Sequence, residues 1–115
     1  KKAIEIDINC DGEMDYVFSA QTKQSVSVGV VLGASKHKPE FFHFDVNRNS
    51  QDAVCALPAW VKPESLDYDP TEAVGEIPGF IRSKTCHAFA LVNEECDSFH
   101  FYWNQKTKHI EWWRL

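Results

Sequence analysis

The residues best suited to chemistry come early, in the run Asp7-Ile8-Asn9-Cys10-Asp11-Gly12-Glu13-Met14-Asp15. Oxygen-bearing side chains fall at the alternate positions 7, 9 and 11, a glycine follows where the chain must turn sharply, and a further carboxylate stands at 15. A hard cation such as calcium is held by several oxygens converging at about 2.3–2.6 Å, with a tight turn curling the backbone around it. The spacing therefore predicts a calcium loop. The competing reading is an acidic β-turn, because Asp11-Gly12 is a strong turn signal by itself.

Two kinds of calcium loop open this way. The helix–loop–helix kind needs a bidentate Glu at its twelfth position, which here is Phe18, and helical flanks. Ile4, Ile6 and Ile8 instead alternate with Glu5 and Asp7, as in a strand. The other kind, D-x-[DN]-x-[DN]-G-x-x-D leading into an apolar strand, is satisfied at every position. Here the chain resembles the loop of FG-GAP repeats, found in integrin-type propellers and in small secreted bacterial proteins. The resemblance implies calcium bound by the side chains of Asp7, Asn9, Asp11 and Asp15 and by the backbone carbonyl of Glu13.

A second candidate lies near the end of the chain. Segments 98–103 and 108–114 read as a hairpin around the turn Asn104-Gln105-Lys106-Thr107. Pairing across it sets Phe101 against Ile110 and Phe99 against Trp112 on one face, and His100 against Glu111 and Tyr102 against His109 on the other. His100 and Glu111 could then work as a general acid–base pair in a hydrolase or nuclease. Phe42-His43-Phe44 echoes Phe99-His100-Phe101, so a histidine pair across neighbouring strands is also conceivable. The plainer reading is a cross-strand surface contact worth well under ~1 kcal/mol. Neither a nucleophile motif nor a Gly-rich phosphate loop accompanies the pair, and we expect a protein that is not an enzyme.

The elements that must position these groups read as strands. Residues 3–8 and 15–20 form a hairpin around the acidic loop, Ser25–Val31 alternates small polar residues with valine, and Phe41–Val46 places Phe42, Phe44 and Val46 on one face. The 33–39 segment is a Lys- and His-rich connection. Asn49 or Ser50 can cap a short helix at about 51–57, ended by Pro58. Between Val61 and Phe80, Pro63, Pro70, Pro78, Gly75 and Gly79 break any periodicity. This acidic segment supplies the candidate contacts for a basic partner, Glu64, Asp67, Tyr68, Asp69, Glu72 and Glu76; long ordered loops in small domains are often functional. A strand at 85–92 precedes the final hairpin. The expected fold is mostly β (a β-rich α+β arrangement is the variant), a single antiparallel sheet or small sandwich of six to seven strands with one short helix.

The 115 residues suit one domain spanning 1–115 with a sizeable core. No apolar run approaches the ~20 residues a membrane helix requires. A formal net charge of −5 argues against nucleic acid, which needs a basic patch, and favours a basic protein partner. The chain begins at Lys1 rather than Met, as it would after removal of a signal peptide or by trimming. Four cysteines allow two disulfides in three connectivities, or buried free thiols. Cys86 and Cys96 flank one apolar strand and are the first pair to join. Their spacing fits no zinc signature. Calcium and disulfides together point to a periplasmic or secreted protein.

The closing run from Phe99 to Trp113, with an aromatic pair, a Trp, a Lys-containing turn and a second Trp-bearing strand, looks like the last hairpin of small secreted or periplasmic bacterial proteins. Some proteins of that build are immunity partners neutralising toxins delivered between bacteria, including periplasmic effectors of type VI secretion. The resemblance implies a non-enzymatic inhibitor, binding a toxin through aromatic anchors and complementary charge. A second copy of the chain is another partner compatible with such a surface. A small-ligand carrier using the aromatic sheet face is the third reading.

Overall fold

The computed structural model describes residues 3–33 and 36–115. Eight strands are present among the described residues: β1 (Ile4–Ile6), β2 (Asp15–Gln21), β3 (Ser25–Val31), β4 (Glu40–Asp45), β5 (Trp60–Ser65), β6 (His87–Val92), β7 (Phe99–Asn104) and β8 (His109–Trp113). They form two four-stranded antiparallel sheets, β1-β2-β3-β4 and β5-β6-β7-β8, in which every strand pairs with its neighbour in sequence. The mostly-β expectation holds. No helix among the described residues is long and apolar enough to cross a membrane.

Period-two patterning explains the layering. Val26, Val28 and Val30 of β3 are buried with Val17 and Phe44, and they meet Phe89, Leu91, Phe99, Phe101 and Ile110 of the second sheet. Phe44 lies 4.5 Å from Phe99 and Phe42 lies 5.1 Å from Phe101, centroid to centroid, while Phe89 stacks on Phe101 at 4.6 Å. Burying a large apolar side chain of this kind is worth about 1.5–3 kcal/mol. His43 and His100 each alternate with phenylalanines facing this shared core, and their strands belong to different sheets. The expected histidine pair across neighbouring strands is therefore not formed.

Four expectations are corrected. The segment after Trp60, read as irregular, begins with β5, which carries Pro63. Because β5 pairs only with β6, its prolyl nitrogen leaves no ladder bond unmade, as a sheet edge permits. The helix at 51–57 is absent: Val54 bridges Val46 in parallel, and Asp52 N–H donates to Ser50 Oγ in a local turn that competes with helix. The one helix among the described residues is the single turn Thr71–Val74, following Pro70 and ended by Gly75 at φ 80°.

The third correction is the register of the last hairpin. Phe101 pairs with Trp112, Trp103 with Ile110 and Asn104 with His109, so His100 faces Trp113 and Tyr102 faces Glu111. The cause is the turn. Asn104 stays in β7, its side-chain oxygen accepting the Lys106 and Thr107 amides at 2.8 and 3.2 Å, and Lys108 takes a left-handed conformation at φ 61°. The four-residue turn moves one position along, shifting the pairing by two residues and leaving each side chain on its expected face. Fourth, the disulfides join Cys10 to Cys86 and Cys55 to Cys96. Cys86 and Cys96 lie at opposite ends of β6; six residues of strand span about 20 Å, far beyond the ~7 Å limit between bridged Cα atoms.

The two outer faces differ. Residues 66–82 fold back over the second sheet, where Leu66, Ile77 and Phe80 pack with Cys86, Ala88 and Tyr102. The outer face of the first sheet carries exposed Tyr16, Phe18 and Phe41.

Candidate functional site

The acidic loop connects β1 to β2 and is held at both ends. Asp15, the first residue of β2, is fully buried. Its Oδ2 accepts the Ile8 N–H at 2.9 Å and its Oδ1 accepts the Gly33 N–H at 3.0 Å, tying the loop to the end of β3. Asp7 Oδ2 accepts the Gly12 N–H at 2.8 Å and Asp11 Oδ1 the Glu13 N–H at 2.9 Å. Gly12 (φ 86°) supplies the left-handed turn at no steric cost. Outside the loop, the Cys10–Cys86 disulfide and a hydrogen bond from the His87 N–H to the Asp7 carbonyl at 3.1 Å fix it to the start of β6.

One carboxylate oxygen each from Asp7, Asp11 and Asp15 lies within 4.8 Å of the others. One end of the Asn9 amide sits 3.0 Å from Asp11 Oδ1 and 3.2 Å from Asp7 Oδ1. With its NH2 turned inward, Asn9 donates to both carboxylates. With its oxygen turned inward, it adds a fourth acceptor beside those of Asp7 and Asp11. Burial pushes the Asp15 carboxyl above its usual range; the two amides draw it down, and the charges of Asp11 and Asp7 raise it further. A divalent cation would remove that repulsion. The donor set, hard oxygens around a glycine turn, suits calcium.

The aromatic-histidine cluster of the last hairpin is placed differently from the sequence expectation. His100 Nδ1 bonds Glu64 at 2.7 Å, and its ring stacks on Trp113 at 4.1 Å. Glu111 instead accepts from Tyr102 Oη at 3.4 Å and from Thr107 Oγ1 at 3.0 Å. His100 and Glu111 thus serve different partners on the covered face. Burial pushes the Tyr102 phenol up to about 12, helped by the charge of Glu111, and burial likewise raises Tyr68 to about 12, helped by Glu64.

Of the acidic segment's residues, Glu64 is bound to His100, Asp67 to Arg82 at 2.9 Å, and Asp69 to Thr71 Oγ1 at 2.6 Å. The Thr71 hydroxyl and amide hold the Asp69 carboxyl below its usual range. Tyr68 stands edge-on to Phe80, whose ring in turn meets Tyr102. Glu72 and Glu76 are exposed. A groove of about 500 Å³ opens here, lined by Tyr68, Glu76, Ile77 and Phe80 among others. Asp67 and Asp69 therefore brace the segment internally, while Leu66, Ile77 and Phe80 and the bond from Tyr102 Oη to the Pro78 carbonyl seat it on the second sheet.

Sequence reasoning missed the bare aromatic face. In the ladder, Phe18 pairs with Gly29 and Gly29 with Phe41, so two rings flank a position without a side chain. Phe18 and Phe41 meet edge to face at 6.4 Å. Phe41 is 68% exposed, Tyr16 40% and Phe18 37%. The signal was the outward set of the same alternations that marked the core: Tyr16 and Phe18 across from Val17, and Phe41 across from Phe42. Comparison with protein-family models, curated proteins and solved structures returns no match.

Proposed function

We propose that the protein is an exported, non-catalytic protein-binding module that docks its partner on the bare face of the first sheet. The observation carrying this reading is the contrast between the two outer faces. One is covered by the chain's own residues 66–82, and the other leaves Tyr16, Phe18 and Phe41 in water around Gly29. Large aromatics at the centre of a patch are the usual anchors of protein interfaces. Glu5 and Asp45 are exposed on the flanking strands β1 and β4, and the chain's net charge of −5 favours a basic partner. Two disulfides fit an oxidising compartment. Calcium enters this reading as a structural ion held by Asp7, Asn9, Asp11 and Asp15 with the Glu13 carbonyl. The partner class that best suits an exported acidic module of this size is a basic secreted toxin, which the protein would neutralise as an immunity partner.

The test compares wild type with Phe41→Ser and Phe18→Ser as immobilised baits for secreted proteins. Phe41 is largely exposed, so Phe41→Ser should keep the wild-type melting midpoint, while Phe18→Ser, which uncovers Gly29, is assayed well below its own midpoint. Wild type should retain a basic protein that both variants lose, and co-expression of wild type but not of Phe41→Ser should relieve that protein's toxicity. Equal retention by all three baits would refute the docking face. Retention without relief of toxicity would refute the immunity role. Saturable binding of a soluble small ligand to the aromatic face would favour the carrier reading.

A further inference from the structure

A second group of metal-ligating side chains lies apart from the acidic loop, where the two sheets meet at their edges. β4 ends the first sheet and β8 ends the second. Glu40, the first residue of β4, reaches across so that its carboxylate accepts the Ile110 N–H of β8 at 3.2 and 3.3 Å. An outward-facing amide on an edge strand needs such a partner. His37 Nε2 lies 2.7 Å from Glu40 Oε2, and His109 Nδ1, from the start of β8, lies 3.5 Å from the same oxygen. The ligand atoms of all three residues fall within 4.8 Å of one another. The His37 ring packs edge-on against Trp103 at 5.7 Å and against His109 at 5.3 Å.

We propose that His37, Glu40 and His109 form a site for a divalent transition-metal ion of the zinc type, clipping β4 to β8. Two imidazole nitrogens and one carboxylate are the donors that zinc shares with copper and nickel, and they disfavour calcium, which takes oxygen alone. Bonds of about 2.0–2.1 Å arranged tetrahedrally put neighbouring ligand atoms about 3.3–3.4 Å apart. The His109–Glu40 separation, 3.5 Å, is close to that length. The His37–Glu40 contact is a hydrogen bond; it opens by about 0.6 Å as the ion takes the Nε2 lone pair, the neutral ring then carrying its one proton on Nδ1. The surroundings of a metal site are also in place. The Ile110 amide holds the carboxylate, and Trp103 packs the His37 ring, supports of the kind that orient metal ligands. A groove of about 530 Å³ lined by His37, Lys38, Pro39, Glu40, Phe41 and His109 opens over the cluster. Water entering from that groove would supply the fourth ligand.

The experiment titrates zinc chloride into chelator-treated protein, with calorimetry for stoichiometry and imidazole NMR signals to locate the ion. One zinc per chain should bind and shift the His37 and His109 resonances, leaving those of His43, His87 and His100 in place. His109→Ala, at a residue whose side chain is 61% exposed, should fold normally and weaken zinc binding by at least about tenfold. Glu40→Gln keeps an oxygen to accept the Ile110 amide but loses the charge, and should weaken zinc similarly. Asp11→Ala, in the acidic loop, should leave zinc binding intact. Shifts confined to other histidines, or equal zinc affinity in wild type and His109→Ala, would overturn the assignment.

Discussion

Removing the Cys10–Cys86 disulfide by the paired change Cys10→Ser and Cys86→Ser should affect stability and calcium binding together. The bridge closes a sequence separation of 76 residues. Chain-entropy reasoning gives about 4.5 kcal/mol for a loop of that length, a large part of the ~5–15 kcal/mol that holds a domain folded. Cys10 is also in the middle of the acidic loop, between Asn9 and Asp11. Without the bridge, the loop keeps the Asp15 hydrogen bonds to Ile8 and Gly33 and the His87 bond to the Asp7 carbonyl, but its tip is free to move. A wild-type affinity near ~10⁻⁴ M, ordinary for extracellular calcium sites, would make 2 mM calcium worth about 1.8 kcal/mol. A tenfold loss in affinity cuts that to about 0.6 kcal/mol. The assay is urea unfolding with calcium and with excess chelator. The control is the Cys55/Cys96 pair, whose separation of 41 predicts a loss of about 3.9 kcal/mol but whose bridge lies away from the loop. An equal calcium increment in wild type and the Cys10/Cys86 variant would refute the idea that the bridge organises the loop. A stability loss below about 1 kcal/mol would refute the entropic estimate.

Three further outcomes follow from the same structure. Calcium should raise the melting midpoint of wild type but not of Asp11→Ala; no rise in wild type, or a rise of equal size in both, would leave the loop as a turn. Tyr68 and Tyr102, with phenols pushed up to about 12, should resist ionisation in the folded protein. Because the unfolded phenols ionise near pH 10, stability should fall as pH rises from about 10 towards 12, with phenolate absorbance appearing together with unfolding. Asn104→Ala removes the acceptor of two turn amides at a buried position, which should cost about 1–3 kcal/mol by chemical denaturation and broaden the amide signals of β8.

The strands were legible wherever one face is apolar and the other polar. Ser25–Val31 and Phe41–Val46 carry that alternation plainly, and β3 and β4 lie where it runs. β5 was not legible, since Pro63 reads as a breaker unless the strand is known to be an edge, a fact of topology rather than of local sequence. The hairpin register depended on whether Asn104 ended a strand or began a turn, and its side-chain acceptance of two amides decided it. The disulfides link residues brought together by the sheets, so local spacing pointed to the wrong pair. The acidic turn of the β1–β2 loop was visible because Asp7, Asp11, Gly12 and Asp15 lie in one short run of sequence. The His37, Glu40 and His109 cluster was not read from the sequence, since His109 joins it only through the meeting of two sheet edges. Residues 34 and 35 of the expected 33–39 connection lie outside the described residues.

Gly29 allows the aromatic face to be separated from stability. A glycine inside a strand weakens it, and rings laid over the gap can compensate, so Phe18 and Phe41 have a structural use as well as a docking one. Phe41's 68% exposure is more than a covering role requires. A Cβ at position 29 would lie 2.5 Å from Phe18 Cζ and 3.1 Å from Phe41 Cε1, the outer atoms of rings that can swing away, while the backbone there is ordinary strand. Gly29→Ala should therefore change stability by no more than about 1 kcal/mol, because the gain in strand propensity offsets the displaced ring. The same change should tilt Phe18 off the sheet, visible in its ring resonances, and break up the flat patch. If the patch docks a partner, binding is lost while the melting midpoint holds. If binding survives with the Phe18 ring displaced, the rings only cover the glycine, and the partner must engage another surface.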